Sequence, residues 1–125
     1  MNIIISNSSS EPIYEQIKKA IKQAIYTNEL KEEEILPSVR ALANDLKISF
    51  LTVKKAYDEL EAEGFIKTVQ GKGSYVLPKN LELLREEKLK EIEKNISIVV
   101  KLSKIYGITE EEVINLIKIM FEEDL

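Results

Sequence analysis

From Ile13 onward, apolar residues recur with helical spacing: Ile13, Ile17, Ala20, Ile21, Ala24 and Ile25 share one face of a 3.6-residue period. Pro12 suits the first turn of that helix, which should run to about Asn28. The polar run Ser6-Asn7-Ser8-Ser9-Ser10 ahead of it predicts a weakly ordered arm over residues 1–10. Residues 30–36 read as an acidic connection around Lys31-Glu32-Glu33-Glu34. Pro37 stops any preceding helix, and Ser38 is a suitable N-cap for the next. Val39, Leu42, Ala43 and Leu46 predict a short second helix, and Lys47-Ile48 a turn. Ser49 caps a third helix whose buried stripe is Val53, Ala56, Tyr57 and Leu60. Gly64 ends it in a left-handed conformation.

Two short extended runs follow at residues 65–69 and 74–77. Gln70-Gly71-Lys72-Gly73 lies between them, which predicts a β-hairpin with a glycine-rich, basic tip. After Pro78 the pattern changes. Leu81, Leu84, Leu89, Ile92, Ile96, Val99, Leu102 and Tyr106 mark a long amphipathic helix that Gly107 ends. Thr109-Glu110-Glu111-Glu112 is a capping box for a last helix with Val113, Leu116, Ile117, Met120 and Phe121 on its apolar face. The order is three helices and a hairpin over residues 1–77, then two helices over residues 78–125. The fold class is mostly α with a small β wing: a winged helix-turn-helix domain followed by a two-helix tail.

Composition narrows the chemistry. The 125 residues include neither cysteine nor histidine. Disulfides, zinc-thiolate sites and thiol catalysis are excluded, and the commonest general base and transition-metal ligand are missing. No nucleophile–base constellation is visible, so the expectation is a non-enzyme without cofactor or metal. Residues 1–5 lack the basic region of a signal peptide, and no stretch approaches the roughly 20 apolar residues of a membrane span. The expected location is the cytoplasm.

The net charge of −4 looks unsuited to nucleic acid, but its distribution matters more than the total. Residues 1–77 carry 10 basic and 11 acidic side chains, against 8 and 11 in the rest, so most of the excess acid lies in the tail. If the third helix buries Val53, Ala56, Tyr57 and Leu60, then Leu51, Lys54, Lys55 and Asp58 face outward, with Phe50 and Thr52 on the borders. Its acids Asp58, Glu59, Glu61 and Glu63 sit at the far end, so the helix is polarised for inserting its N-terminus into a major groove.

The segments Pro12-Ile13-Tyr14-Glu15-Gln16-Ile17, Leu36-Pro37-Ser38-Val39-Arg40-Ala41-Leu42-Ala43, Thr52 to Gly64, and Gly71-Lys72-Gly73-Ser74-Tyr75-Val76 occur in that order. Together they closely resemble the DNA-binding domain of the GntR family of bacterial repressors, over about residues 11–77. The short two-helix tail is similar to that of the YtrA-like subfamily, which lacks a large effector domain. The resemblance implies a sequence-specific regulator, a repressor, with double-stranded DNA as its partner. YtrA-like regulators often control transporter operons, and the matching arginine in the family reaches DNA, a role carried to Arg40. The chain departs from the family at Glu33, where glycine is common, and at Phe50, where arginine or a small polar residue is common.

The candidate DNA-binding residues are Ser38, Arg40, Ser49, Phe50, Leu51, Thr52, Lys54, Lys55, Gln70, Gly71, Lys72 and Gly73. Arg40 can hold a guanine edge or clamp a phosphate, or else pair on the surface with Asp45 or Glu63. The Ser38 and Ser49 helix starts can receive phosphate. Lys54 and Lys55 can supply phosphate contacts, with room for a base contact. Phe50 is either a core-edge aromatic or a thymine-methyl contact; Tyr14 and Tyr57 read as packing residues. Gly71 and Gly73 allow close backbone approach, putting Lys72 and Gln70 within reach of a minor groove. The candidate dimerisation residues are Leu84, Leu89, Ile92, Ile96, Val99, Leu102, Tyr106, Leu116, Ile117, Met120 and Phe121, since two helices cannot bury both stripes by themselves. The expected assembly is an isologous homodimer on a palindromic operator. A small-molecule effector, which the sequence does not identify, would sit between helices or at the dimer seam. The alternative function is a winged-helix protein-interaction module without DNA binding.

Overall fold

The computed structural model describes residues 2–78 and 81–123. Its elements run α1 (Ile13–Tyr26), α2 (Val39–Leu46), α3 (Phe50–Ala62), β1 (Ile66–Val69), β2 (Gly73–Val76), α4 (Leu81–Tyr106) and α5 (Glu110–Glu122). They form two compact units, one reaching to Leu81 and one starting at Glu82.

In the first unit α3 packs against α1, α2 and β1. Ile17 and Ile21 of α1, Leu42 of α2, Val53, Ala56 and Leu60 of α3 and Ile66 and Val76 of the hairpin close the core. These are the positions that a 3.6-residue period puts on one helical face and a period of two on one strand face. Tyr57 is buried with them, and its hydroxyl donates to the Pro37 carbonyl at 2.7 Å. That bond ties α3 to the residue before the α2 cap. Burial holds the phenol well above its ordinary acidity range.

α1 ends at Tyr26, two residues short of the expected Asn28, which instead takes a left-handed φ of 64°. The arm is also more ordered than its serine-rich composition predicts. The Gln16 side chain accepts from the Ser6 N–H at 2.8 Å and donates to the Ser6 and Glu11 carbonyls. A single amide satisfies three backbone groups, and Ile3 and Ile5 are half-buried.

The acidic connection hides a third edge of the wing. β1 and β2 pair antiparallel, Ile66 opposite Val76 and Val69 opposite Gly73. Ile35 bridges to Tyr75 on the other side of β2. The Glu33 and Leu36 N–H groups donate to the Val76 and Ser74 carbonyls, and Val76 N–H donates to Glu34. Charged side chains masked this segment, because its pairing runs through backbone groups that side-chain patterns do not report.

Glu33 precedes the Ile35 bridge with φ at 65°, so the bend has the left-handed geometry in which a Cβ is strained. The left-handed cost, about 1–2 kcal/mol, exceeds the added chain entropy of glycine, about 0.5–1 kcal/mol. Glu33→Gly is therefore expected to stabilise the protein by about 0.5–1 kcal/mol, read as a higher denaturant midpoint at unchanged slope. An unchanged or lower midpoint would show that this bend stores no strain.

In the second unit Ile108 N–H donates to the Ser103 carbonyl across Gly107, and α5 opens with the expected capping box between Thr109 and Glu112. Leu84 is the exception among the tail residues expected to dimerise. It is 3% exposed in the single chain, so its surface is already covered and the open stripe begins at Leu89. From Glu82 onward no other described residue is buried.

Candidate nucleic-acid interface

Two helix starts form the frame of the site. The Ser38 hydroxyl accepts from the Ala41 N–H at 3.0 Å, and the Ser49 hydroxyl accepts from the Thr52 N–H at 3.1 Å. Ser49 and Thr52 hydroxyls also pair at 2.8 Å. Both serines are extended in backbone and exposed, as N-caps are. Lys47 ends α2 with φ at 56°, so the turn between the two helices is made by a lysine in the left-handed region.

Arg40, in the first turn of α2, lies over the Phe50 ring with its guanidinium carbon 5.8 Å from the centroid. Phe50 opens α3 and is 43% exposed, so it is a surface ring and not a core residue. The stack joins the two helix starts and is a cation–π contact at the outer limit of range. Neither surface partner weighed for Arg40 takes it up. Glu63 instead accepts from Lys18 and Lys22, both at 2.8 Å, and Arg40 forms no ion pair among the described residues.

The outward face of α3 is as its period predicts. Leu51, Lys54, Lys55 and Asp58 are exposed, and Thr52 is half-buried. Leu51 is 73% exposed. Lys54 pairs with Asp58 one turn on at 2.8 Å. Lys55 rests on the Tyr14 ring of α1, its Nζ 4.1 Å from the centroid. Tyr14 is thus a seat for a surface cation as well as a packing residue. The pattern gave no sign of it because the two side chains meet only when α1 and α3 pack.

The acids at the far end of α3 all have partners within the chain. Glu59 and Glu63 hold Lys18, which is 7% exposed, each at 2.8 Å, with Glu15 at 3.7 Å. Glu61 accepts the Thr68 N–H at 2.8 Å. Burial opposes the charge on Lys18, but its bonds to Glu59 and Glu63 and the nearby carboxylates outweigh that, holding the ammonium above its ordinary 10.5. Burial likewise opposes the charge on Glu63, yet bonds from Lys18 and Lys22 lower its carboxyl below the ordinary value. The far end of the helix therefore presents less bare negative charge than its sequence suggests.

The wing tip is a separate exposed group of Gln70, Gly71, Lys72 and Gly73. The Lys72 N–H donates to the Val69 carbonyl at 2.9 Å, closing a turn whose third residue, Gly71, has φ at 84°. No atom lies within 4 Å of where a Cβ on Gly71 would stand, so the dihedral demands glycine and the tip stays open to another molecule. Among the described residues, no cluster of metal-binding side chains occurs and no helix is long and apolar enough to cross a membrane.

Comparison with known proteins places this geometry. The model of the bacterial regulatory proteins of the gntR family matches residues 13–76. The HTH-type transcriptional repressor YtrA of Bacillus subtilis (strain 168) is 40% identical over 94 residues, covering 75% of this chain and 72% of that protein. A GntR family transcriptional regulator from Listeria monocytogenes superposes with a TM-score of 0.73 at 33% identity, covering 89% of this chain and 96% of that one. AraR(DBD), solved in complex with operator ORX1, superposes with a TM-score of 0.54 at 25% identity, covering 61% of this chain and 95% of that one. A three-helix core with a two-stranded wing, matched by the family model over residues 13–76, makes this chain a member of the GntR family of transcriptional regulators.

Proposed function

We propose that the protein is a cytoplasmic repressor that binds a palindromic operator as a homodimer. α3 enters the major groove, Arg40 reaches a guanine edge or a phosphate, and the wing approaches the minor groove. The observation that carries this reading is the first half of α3. It presents Leu51, Lys54 and Lys55 to solvent, beside a stacked Arg40 without a carboxylate partner among the described residues. Ser38, Ser49 and Thr52 already serve the helix starts, leaving their outer faces for phosphate. Phe50 holds Arg40, and Gln70, Lys72 and the two glycines form the wing contact.

The tail supports dimerisation. Leu89, Ile92, Ile96, Val99, Leu102 and Tyr106 of α4, and Leu116, Ile117, Met120 and Phe121 of α5, are all exposed in the single chain. So large an apolar surface on one small unit calls for a partner, and a second copy would place two α3 helices on one duplex. Resemblance to YtrA-like regulators directs the search for target genes to transporter operons.

Selection of bound sequences from random duplex DNA tests the whole reading: an inverted repeat is expected. Failure of any duplex to bind in a salt-dependent manner would instead favour the protein-interaction module. Two substitutions separate the contact types. Arg40→Ala should cost about 1–3 kcal/mol on the selected operator and less on unrelated DNA if it reads a base. Lys55→Ala should weaken binding on all sequences and reduce the salt slope by about one. Wild-type anisotropy curves for both variants would remove this face of α3 from the interface.

A further inference from the structure

Leu51 stands where a soluble protein gains nothing from it. It is 73% exposed in the first turn of α3, and the Phe50 ring beside it is 43% exposed. The neighbouring outward positions are Lys54 and Lys55, and Arg40 covers one side of the ring. Leu51 is thus an exposed apolar side chain among basic neighbours, at the start of the helix proposed to meet DNA. An isolated surface leucine needs no explanation, but this one follows an exposed aromatic ring at the same helix start, with the Arg40 guanidinium carbon 5.8 Å from that ring's centroid.

The floor of a major groove offers hydrogen-bonding atoms at every base pair and one apolar group, the C5-methyl of thymine. An apolar contact with any other edge would strip water from a donor or acceptor and return no hydrogen bond. Against a methyl group, the same side chain exchanges two hydrated apolar surfaces for one contact. We propose that Leu51, bordered by the Phe50 ring, reads the C5-methyl group of a thymine in each operator half-site. This rests on the operator-binding reading above and adds the chemistry of one base position. Phe50 has a second part in it. Its ring, with the Arg40 guanidinium carbon 5.8 Å from the centroid, borders the apolar side chain and sets Arg40 beside it.

The test uses the full-length protein and the duplex recovered from random-sequence selection. Each thymine of the half-site is replaced in turn by deoxyuridine, which removes the methyl group and leaves the pairing unchanged. One replacement is expected to weaken binding about 4-fold, and the symmetric pair of replacements on the order of 15-fold, as loss of one buried methyl per half-site implies. Leu51→Ala should bind the thymine and deoxyuridine duplexes with nearly equal affinity. The substitution lies on an exposed helical face where alanine is a good helix former, so the fold is retained. Phe50→Leu should keep the thymine preference but reduce it.

The outcomes are separable. If no duplex binds, the operator reading fails and this contact with it. If the selected duplex binds and every deoxyuridine replacement is neutral, the thymine contact alone is overturned. If a replacement weakens wild type and Leu51→Ala by the same factor, the methyl group is read by another residue and the assignment to Leu51 is wrong.

Discussion

In the proposed homodimer, Ile96→Glu combined with Val99→Glu is expected to leave the protein monomeric and to weaken operator binding on the order of 100-fold or more. Leu89, Ile92, Ile96, Val99 and Tyr106 follow one another at spacings of three, four, three and seven, which lays a seam along one side of α4. All five are exposed in the single chain. Charges in the middle of that seam would be buried without partners in a dimer and fully hydrated in a monomer, so the equilibrium shifts towards the monomer. Once the copies separate, each half-site is held by one domain alone, and the gain from linking two binding events is lost. Glutamate is a good helix former and both positions face solvent, so the melting of the first unit should be unchanged. Light scattering at micromolar concentration and anisotropy on the operator read the two effects. A variant that remains dimeric would show that the seam lies elsewhere on the tail.

The second large effect is in stability. Lys18→Ala is expected to cost about 2–3 kcal/mol of unfolding free energy, below the roughly 3–5 kcal/mol of a fully buried ion pair, because the carboxylates are about one-third exposed. The lysine is nearly covered, and its removal takes a shared cation from Glu59 and Glu63, while Lys22 stays 2.8 Å from Glu63. The sign of the pH dependence follows from the two shifts. Glu63 is lowered in the folded state, so its contribution is present above the ordinary value of 4.5 and is lost as pH falls below it. Lys18 is raised, so its contribution is fully present below 10.5 and is lost only as pH rises past its elevated folded value. The difference between wild type and Lys18→Ala should therefore be flat from about pH 6 to pH 9 and shrink below about pH 4.5. Denaturant melts across that range measure it. A difference that stayed constant into acid would mean that Lys18 acts through packing of its stem instead of its charge.

Arg40 and Lys18 illustrate two uses of a basic side chain in one small domain. Lys18 is spent inside, neutralising the acids of the far end of α3. Arg40 is stacked on an aromatic ring and makes no ion pair among the described residues. The arrangement keeps negative charge away from the first half of α3 although residues 1–77 carry slightly more acid than base.

Short-range features could be read before any fold was known. The caps at Ser38, Ser49 and Thr109 each bond to an N–H three residues on, so their chemistry is contained within a single turn. The stripe of α3 and its outward set Leu51, Lys54, Lys55 and Asp58 follow from a 100° rotation per residue. The left-handed Gly64 follows from its place just past the end of α3. Tertiary structure decided the rest. Lys18 sits between Ile17 and Lys19 and looks like any polar-face lysine; its partner Glu59 is 41 residues away. Glu33 and Ile35 belong to the wing through backbone pairing with β2. Tyr14 under Lys55 and Phe50 under Arg40 exist only because separate helices bring rings and cations within reach. Periodicity reports which face of an element is buried, but which side chains meet across elements depends on the packing of those faces, and a linear pattern does not carry that distance.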